Sequence, residues 1–207
     1  MFPVGSYTFS NGMETYTQRR IIHDKVSLGA FLKSQAYILP YSDIGIATKV
    51  AQGNSFIKLD HMCGAMKQPQ EVRMASEKLW ARLLKEIARL NEYPSLLKYQ
   101  SAIKERECDG HYPVAIGLLI LDLGVDIKSA MEMYAYSTFS IMVNHAVKLV
   151  PLGQKDGQTE LFKIMKYIPN MIETALNTSI NDLGVSGCGF DLRSMQHESL
   201  HGRLFTS

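Results

Sequence analysis

The sequence predicts an all-α protein: a single compact, bundle-like domain of roughly eight to ten helices with a partner-docking C-terminal tail. Three observations carry this. Apolar residues recur at three-and-four spacing over helix-sized segments. Two-residue alternation is nearly missing, and Asn11-Gly12 is followed by no second β-branched run that would make a hairpin. Prolines (Pro40, Pro69, Pro94, Pro113) precede or open the periodic runs, whereas glycines (Gly53, Gly64, Gly110, Gly124, Gly153) fall where runs stop.

In chain order, residues 25–39 carry Val26, Leu28, Phe31, Leu32 and Leu39 on one stripe. Residues 70–90 give the clearest helix. Val72, Ser76, Leu79, Trp80, Leu83, Ile87 and Leu90 share a face that Arg73, Glu77, Lys78, Arg82, Lys85 and Arg89 avoid. Residues 127–150 are apolar nearly all round, which predicts the central helix. Lys148 sits near that helix's last carbonyls, Pro151 and Gly153 stop it, and Asp156 is placed to cap the next. Residues 158–177 are helical again, with Pro169 as a break or kink. The domain thus spans 1–207, as a body (1–183), a glycine-rich hinge (184–189) and a docking tail (190–207).

Composition narrows the function. With 46% hydrophobic and 20% charged residues, the chain can bury a sizeable core. A net charge of +2 makes no cationic field, so nucleic acid is not an expected partner. The longest apolar run, 114–121, is too short to span a bilayer, and no basic-then-apolar leader opens the sequence. Cys63, Cys108 and Cys188 are odd in number and form no C-x-x-C, which fits reduced, buried thiols in a cytoplasmic protein.

The tail is the most informative segment. Met195, Leu200, Leu204 and Phe205 lie among Arg193, Gln196, His197, Glu198 and Arg203, where a chain normally frays, and together these are the expected partner-binding residues. Leu204 and Phe205 are the expected anchors, each contributing roughly 1.5–3 kcal/mol if buried by a partner. Ordering such a segment costs about 2–5 kcal/mol, so anchors are needed. The arginines would pair with carboxylates or carbonyls. The same stretch spells His197-Glu198-Ser199-Leu200-His201, the H-E-x-x-H string of zinc hydrolases. A zinc-dependent hydrolase is therefore the alternative reading. It needs a third ligand, and none of the six residues after His201 supplies one. The expected metal set is none, with His197 and His201 as weak candidates.

Elsewhere chemistry is not visible. His145 and His111 read as hydrogen-bonded structural histidines, with no carboxylate beside either at ligand spacing. His61 and Cys63 are two apart and cannot face each other on a helix. No G-x-S-x-G elbow and no phosphate-binding loop occurs, so a nucleotide would sit on a partner. Gln154, Asp156, Gly157 and Gln158 form a polar turn that either braces itself or presents a surface.

Four stretches, taken together, resemble the UreF family of urease accessory proteins over essentially the whole length. They are Phe2-Pro3-Val4-Gly5-Ser6-Tyr7 with residues 10–16; residues 111–117, beginning His111-Tyr112-Pro113; residues 144–158, ending Asp156-Gly157-Gln158; and the tail from Arg193. The resemblance implies an all-helical non-enzyme and a homodimer. It implies partners UreD (UreH in some organisms), the GTPase UreG and apo-urease, with nickel in transit and no tightly bound cofactor. It implies that the tail orders against UreD and that GTP hydrolysis is modulated, for which Arg193, Arg203 and Gln154 are the side chains at hand. Family members carry a leucine-rich helical segment before the Phe-Pro motif, so an absent N-terminal helix and an open docking groove are expected here. His201 stands where the family has an aromatic, which makes the H-E-x-x-H string a local substitution.

Overall fold

The computed structural model describes residues 6–185 and 187–206, apart from the Tyr7 side chain. Residues 2–5 of the opening motif, Ser186 of the expected hinge and Ser207 lie outside the described residues. Among the described residues the chain forms eleven α-helices and no strand. They are α1 Met13–Gln18, α2 Lys25–Ile38, α3 Asp43–Ala51, α4 Phe56–Met66, α5 Gln70–Ile87 and α6 Pro94–Lys104, then α7 Tyr112–Leu123, α8 Ile127–Leu149, α9 Gln154–Met165, α10 Ile168–Asn177 and α11 Cys188–His197. Single 3-10 turns at Ser6–Thr8, Leu39–Tyr41 and Ile180–Asp182 complete the path.

The helix starts follow local chemistry. Pro94 and Pro113 occupy the first turns of α6 and α7, where a missing N–H costs nothing. Asp24 and Ser27 form a reciprocal capping box at α2, and Asp126 accepts from the Ser129 N–H at 2.8 Å to start α8. Pro169 breaks the 158–177 segment outright, so α9 ends at Met165 and α10 begins at Ile168. Two expectations change. Gly64 lies inside α4, not at its end. Gly153, not Asp156, occupies the position before α9, and Asp156 sits in the first turn, where its charge favours the helix dipole.

The centre of the molecule is α3, not α8. Eight of its residues, from Ile44 to Ala51, are buried. Ile44, Ala47 and Ala51 join a core with α2, α8, α9 and α10, while Ile46 and Val50 join a second with α4, α5, α6 and α7. Lys49 on this helix is buried too; its Nζ donates to the Leu176 carbonyl at 2.9 Å, and burial lowers its pKa. Helix α8 packs Met131, Ala135, Phe139 and Val143 inward but leaves Met133 72% exposed. Its remaining apolar side lines a groove of about 540 Å³ with Phe9, Leu123, Val125, Ile141 and Met142. Hydrophobicity all round α8 therefore marked one core face and one groove face, not full burial. Val26, read as part of the α2 stripe, is likewise exposed.

Candidate functional site

The C-terminal residues fold onto their own body. Helix α11 packs against α1 and α5. The approach to α1 is close enough that Gly12 is required: its φ is +82°, and a Cβ there would lie 2.5 Å from Ser194 Oγ. His197 ends α11 and is fully buried. Its Nδ1 lies 2.6 Å from Glu71 Oε2 and its Nε2 lies 3.1 Å from Glu14 Oε2. Both ring nitrogens thus face carboxylate oxygens, and the ring bridges Glu14 on α1 to Glu71 on α5. The carboxylates have further donors. Arg203 Nη1 reaches Glu71 Oε1 at 2.6 Å, and the backbone N–H groups of Leu204 and Phe205 donate to Glu14 at 2.7 and 3.1 Å. The Phe205 ring then meets His145 edge-on at 4.6 Å, and Thr206 N–H donates to the Thr8 carbonyl at 2.9 Å.

This arrangement revises the reading of the tail. Cys188 and Gly189, expected in a hinge, are helical, and the Gly184 N–H is bonded to the Tyr41 carbonyl at 2.9 Å. Of the two expected anchors, Leu204 is 64% exposed but Phe205 only 7%, so Phe205 already serves its own subunit. Glu14 pins both backbone N–H groups at that point, which fixes one side chain inside and leaves its neighbour outside. Met195 and Leu192 are exposed on α11, Glu198 is exposed beyond it, and Leu200 is half-buried. Arg193 is half-buried and donates to Gln196 Oε1 at 2.7 Å. Cys188 is exposed, unlike Cys63 and Cys108.

The zinc-hydrolase geometry does not form. Helix α11 stops at His197, residues 198–200 turn away, and His201 is exposed off the helix, so the two histidines share no helical face. Both His197 nitrogens are already engaged. Glu14 and Glu71, which sequence reading missed, are the residues that decide this. The one available signal was a glutamate in the first turn of each of two helices.

The family-motif residues lie elsewhere, where α9 meets α2 and α8, and Gln154 to Gln158 do not form the expected polar turn but are the first residues of α9 itself. Lys148, Gln154 and Gln158 are exposed, and Asp156 faces Lys25 Nζ at 3.7 Å. Gly157 is buried: a Cβ there would sit 2.6 Å from Val147 Cγ2 and 3.1 Å from Val143 Cγ1. Its place in the motif is explained by helix contact, not by loop flexibility.

A second polar cluster was not anticipated. Asp60 on α4 is fully buried. It accepts from the Tyr99 hydroxyl and from the N–H groups of Asp109 (2.7 Å), Gly110 (3.5 Å) and His111 (3.1 Å). That carboxylate shapes the chain into α7. Burial, with Asp60 beside it, pushes the Tyr99 hydroxyl far up, and burial, with Asp60, Glu107 and Asp109 nearby, brings Cys108 to about 12. The His111 ring is 0% exposed, yet neither of its nitrogens has a hydrogen-bond partner. Burial lowers its pKa against the opposing pull of Asp60. The expectations of a hydrogen-bonded His111, and of no carboxylate near it, both fail. The carboxylates come from Asp109, two residues away and overlooked, and from Asp60, fifty-one residues upstream and beyond the reach of spacing arguments.

The comparisons with known proteins agree with one another. The UreF family model matches residues 22–165. A urease accessory protein UreF from Actinobacillus pleuropneumoniae serotype 5b is 32% identical over 214 residues, covering 99% of this chain and 93% of the relative. Those of Bacillus sp. strain TB-90 and Haemophilus influenzae strain Rd are 30% and 31% identical, covering 100% and 99% of this chain and 94% and 90% of theirs.

Proposed function

The chain belongs to the UreF family, and from that premise we propose that it is a non-catalytic assembly factor for the nickel centre of urease. In this reading it acts in the cytoplasm as a homodimer. It binds the scaffold protein UreD (UreH), and with it recruits the GTPase UreG to apo-urease, nickel being cargo and not a resident cofactor. The relatives' printed names supply the process. The observation that carries the docking reading is the tail. It is fastened at its base by His197, Glu14 and Glu71, and it holds Leu192, Met195 and Leu204 out to solvent.

A tail folded before it meets its partner reduces the ordering cost of about 2–5 kcal/mol that a free segment would incur. Burying Met195 and Leu204 would then contribute roughly 1.5–3 kcal/mol each. The test is co-purification with UreD of the Met195→Asp, Leu204→Asp double variant, neither side chain being part of the core. Loss of the complex with unchanged helical content and melting temperature is the expected result. Undiminished binding would discard the tail as the docking face.

Modulation of GTP hydrolysis belongs to the same proposal. Arg203 and Arg193 are engaged with Glu71 and Gln196, whereas Gln154 is exposed at the start of α9. Single-turnover GTP hydrolysis by UreG, with wild-type chain and with Gln154→Ala or Arg203→Ala, separates these side chains as contributors. The hydrolase alternative has a matching check: Glu198→Gln leaves urease activation unchanged, since Glu198 lies outside the histidine bridge.

A further inference from the structure

We propose that Asp60, Asp109 and His111 form a binding site for one divalent transition-metal ion at the start of α7. One atom from each residue, an imidazole nitrogen and two carboxylate oxygens, lies within 4.8 Å of the others. The independent observation is the His111 ring, fully buried with both nitrogens unpartnered. A buried polar atom left without a partner is costly, and most such atoms find one. A ring nitrogen turned toward two carboxylates has a natural occupant in a cation.

The surroundings suit that occupant. Across from the ring stands Gly64 on α4, whose absent side chain leaves space. A Cβ there would come 3.0 Å from His111 Nε2 and 3.4 Å from Asp109 Oδ2. Asp60 is held by Tyr99 and three backbone N–H groups, whereas Asp109 brings its carboxylate to the exposed edge of the cluster. Ligands around a tetrahedral ion, each about 2.0–2.2 Å from it, stand closer together than the 4.8 Å within which these three atoms lie, so modest side-chain adjustment brings them to coordinating distance. Two carboxylates balance a charge of +2. Lys67, whose charge is also felt at His111, is engaged by Asp43 at 2.5 Å.

The donor set fixes the class of ion. Imidazole with carboxylate suits zinc, nickel or cobalt. Calcium requires six to eight oxygens and magnesium an octahedron of them, which this site does not offer. Water would complete the coordination from the exposed Asp109 side. The site rests on these residues alone and not on the assembly role proposed above.

The full chain is titrated with zinc, and separately with nickel, by calorimetry and by thermal melting, with calcium and magnesium as controls. Saturable binding of one transition-metal ion per chain, with a raised melting temperature, is expected. Asp109→Asn keeps every backbone contact and should weaken affinity by about tenfold or more. His111→Gln should abolish binding, and Gly64→Ala should weaken it without removing a ligand. X-ray absorption of the loaded protein should report one imidazole nitrogen among oxygen donors. Absence of saturable binding overturns the proposal. So does binding unchanged in Asp109→Asn, which assigns the ion to exposed histidines such as His61 and His201. Should His111→Gln fold poorly, Asp109→Asn and the absorption spectrum still decide. None of these readouts involves urease, so failure here and failure of the assembly reading are distinguishable.

Discussion

Lys67 is a side chain whose stability contribution has a definite sign. Burial disfavours its ammonium, but Asp43 at 2.5 Å overrides that and holds its pKa above the ordinary 10.5. A base whose folded pKa is raised stabilises the fold below the unfolded value and loses that contribution as pH climbs through the folded one. Asp43→Asn should therefore cost about 2 kcal/mol at neutral pH, a value reduced because the Asp43 carboxylate is partly exposed. Above pH 10.5 the deficit should shrink, which denaturant titrations at pH 7 and at higher pH would reveal. At the other end of the chain, His197→Phe removes the ring that bridges Glu14 and Glu71. Leaving buried carboxylates without it should cost roughly 3–5 kcal/mol. The tail from residue 190 should then become sensitive to limited proteolysis before the body does. Neither pair was legible in the sequence. Asp43 and Lys67 are 24 positions apart, and Glu14 and His197 are 183 apart.

Elements were more readable than residues, because helix period, caps and prolines act within a few positions. The stripe on α5 appears with Ser76, Trp80, Leu83 and Ile87 buried, but the helix ends at Ile87, and Leu90, expected on the same face, lies beyond it and is 68% exposed. The reading of α8 was right in type and wrong in surroundings, since periodicity reports which residues are apolar and not what covers them. Helix contacts are where small residues count. Gly157 lies under Val147 and Val143, so Gly157→Val should force α9 off α8 and destabilise the protein by about 1–3 kcal/mol. Circular dichroism melts would measure this, with Gln158→Val, one residue on and exposed, as the unaffected control.

At the scale of the molecule, two cores meet on α3 and the C-terminal residues close over α1 and α5. Removing 191–207 is then more than the loss of a docking strip. It uncovers Glu14 and Met13 and vacates the place of Phe205, so the truncated body should melt at lower temperature. Phe205→Ala alone should cost about 3–5 kcal/mol, the usual range for a buried phenylalanine, whereas Leu204→Ala should be nearly neutral in the isolated chain. A paired melting experiment on these adjacent residues tests whether the tail is seated in solution as it is here.

What the sequence determined by itself was the all-helical class, the extents of α2 and α8, the start of α5 and, through four ordered motifs, the family. All of these are written in neighbouring residues or in strings that survive without coordinates. Only the tertiary structure decided that α3 is central, that Phe205 belongs to its own subunit, that the H-E-x-x-H string makes a histidine bridge, and that Asp60 and Asp109 surround His111. Each of those outcomes depends on groups brought together by packing. A lone side chain in a sequence carries its chemistry, but its partners, and therefore its role, are chosen by how the helices close around it.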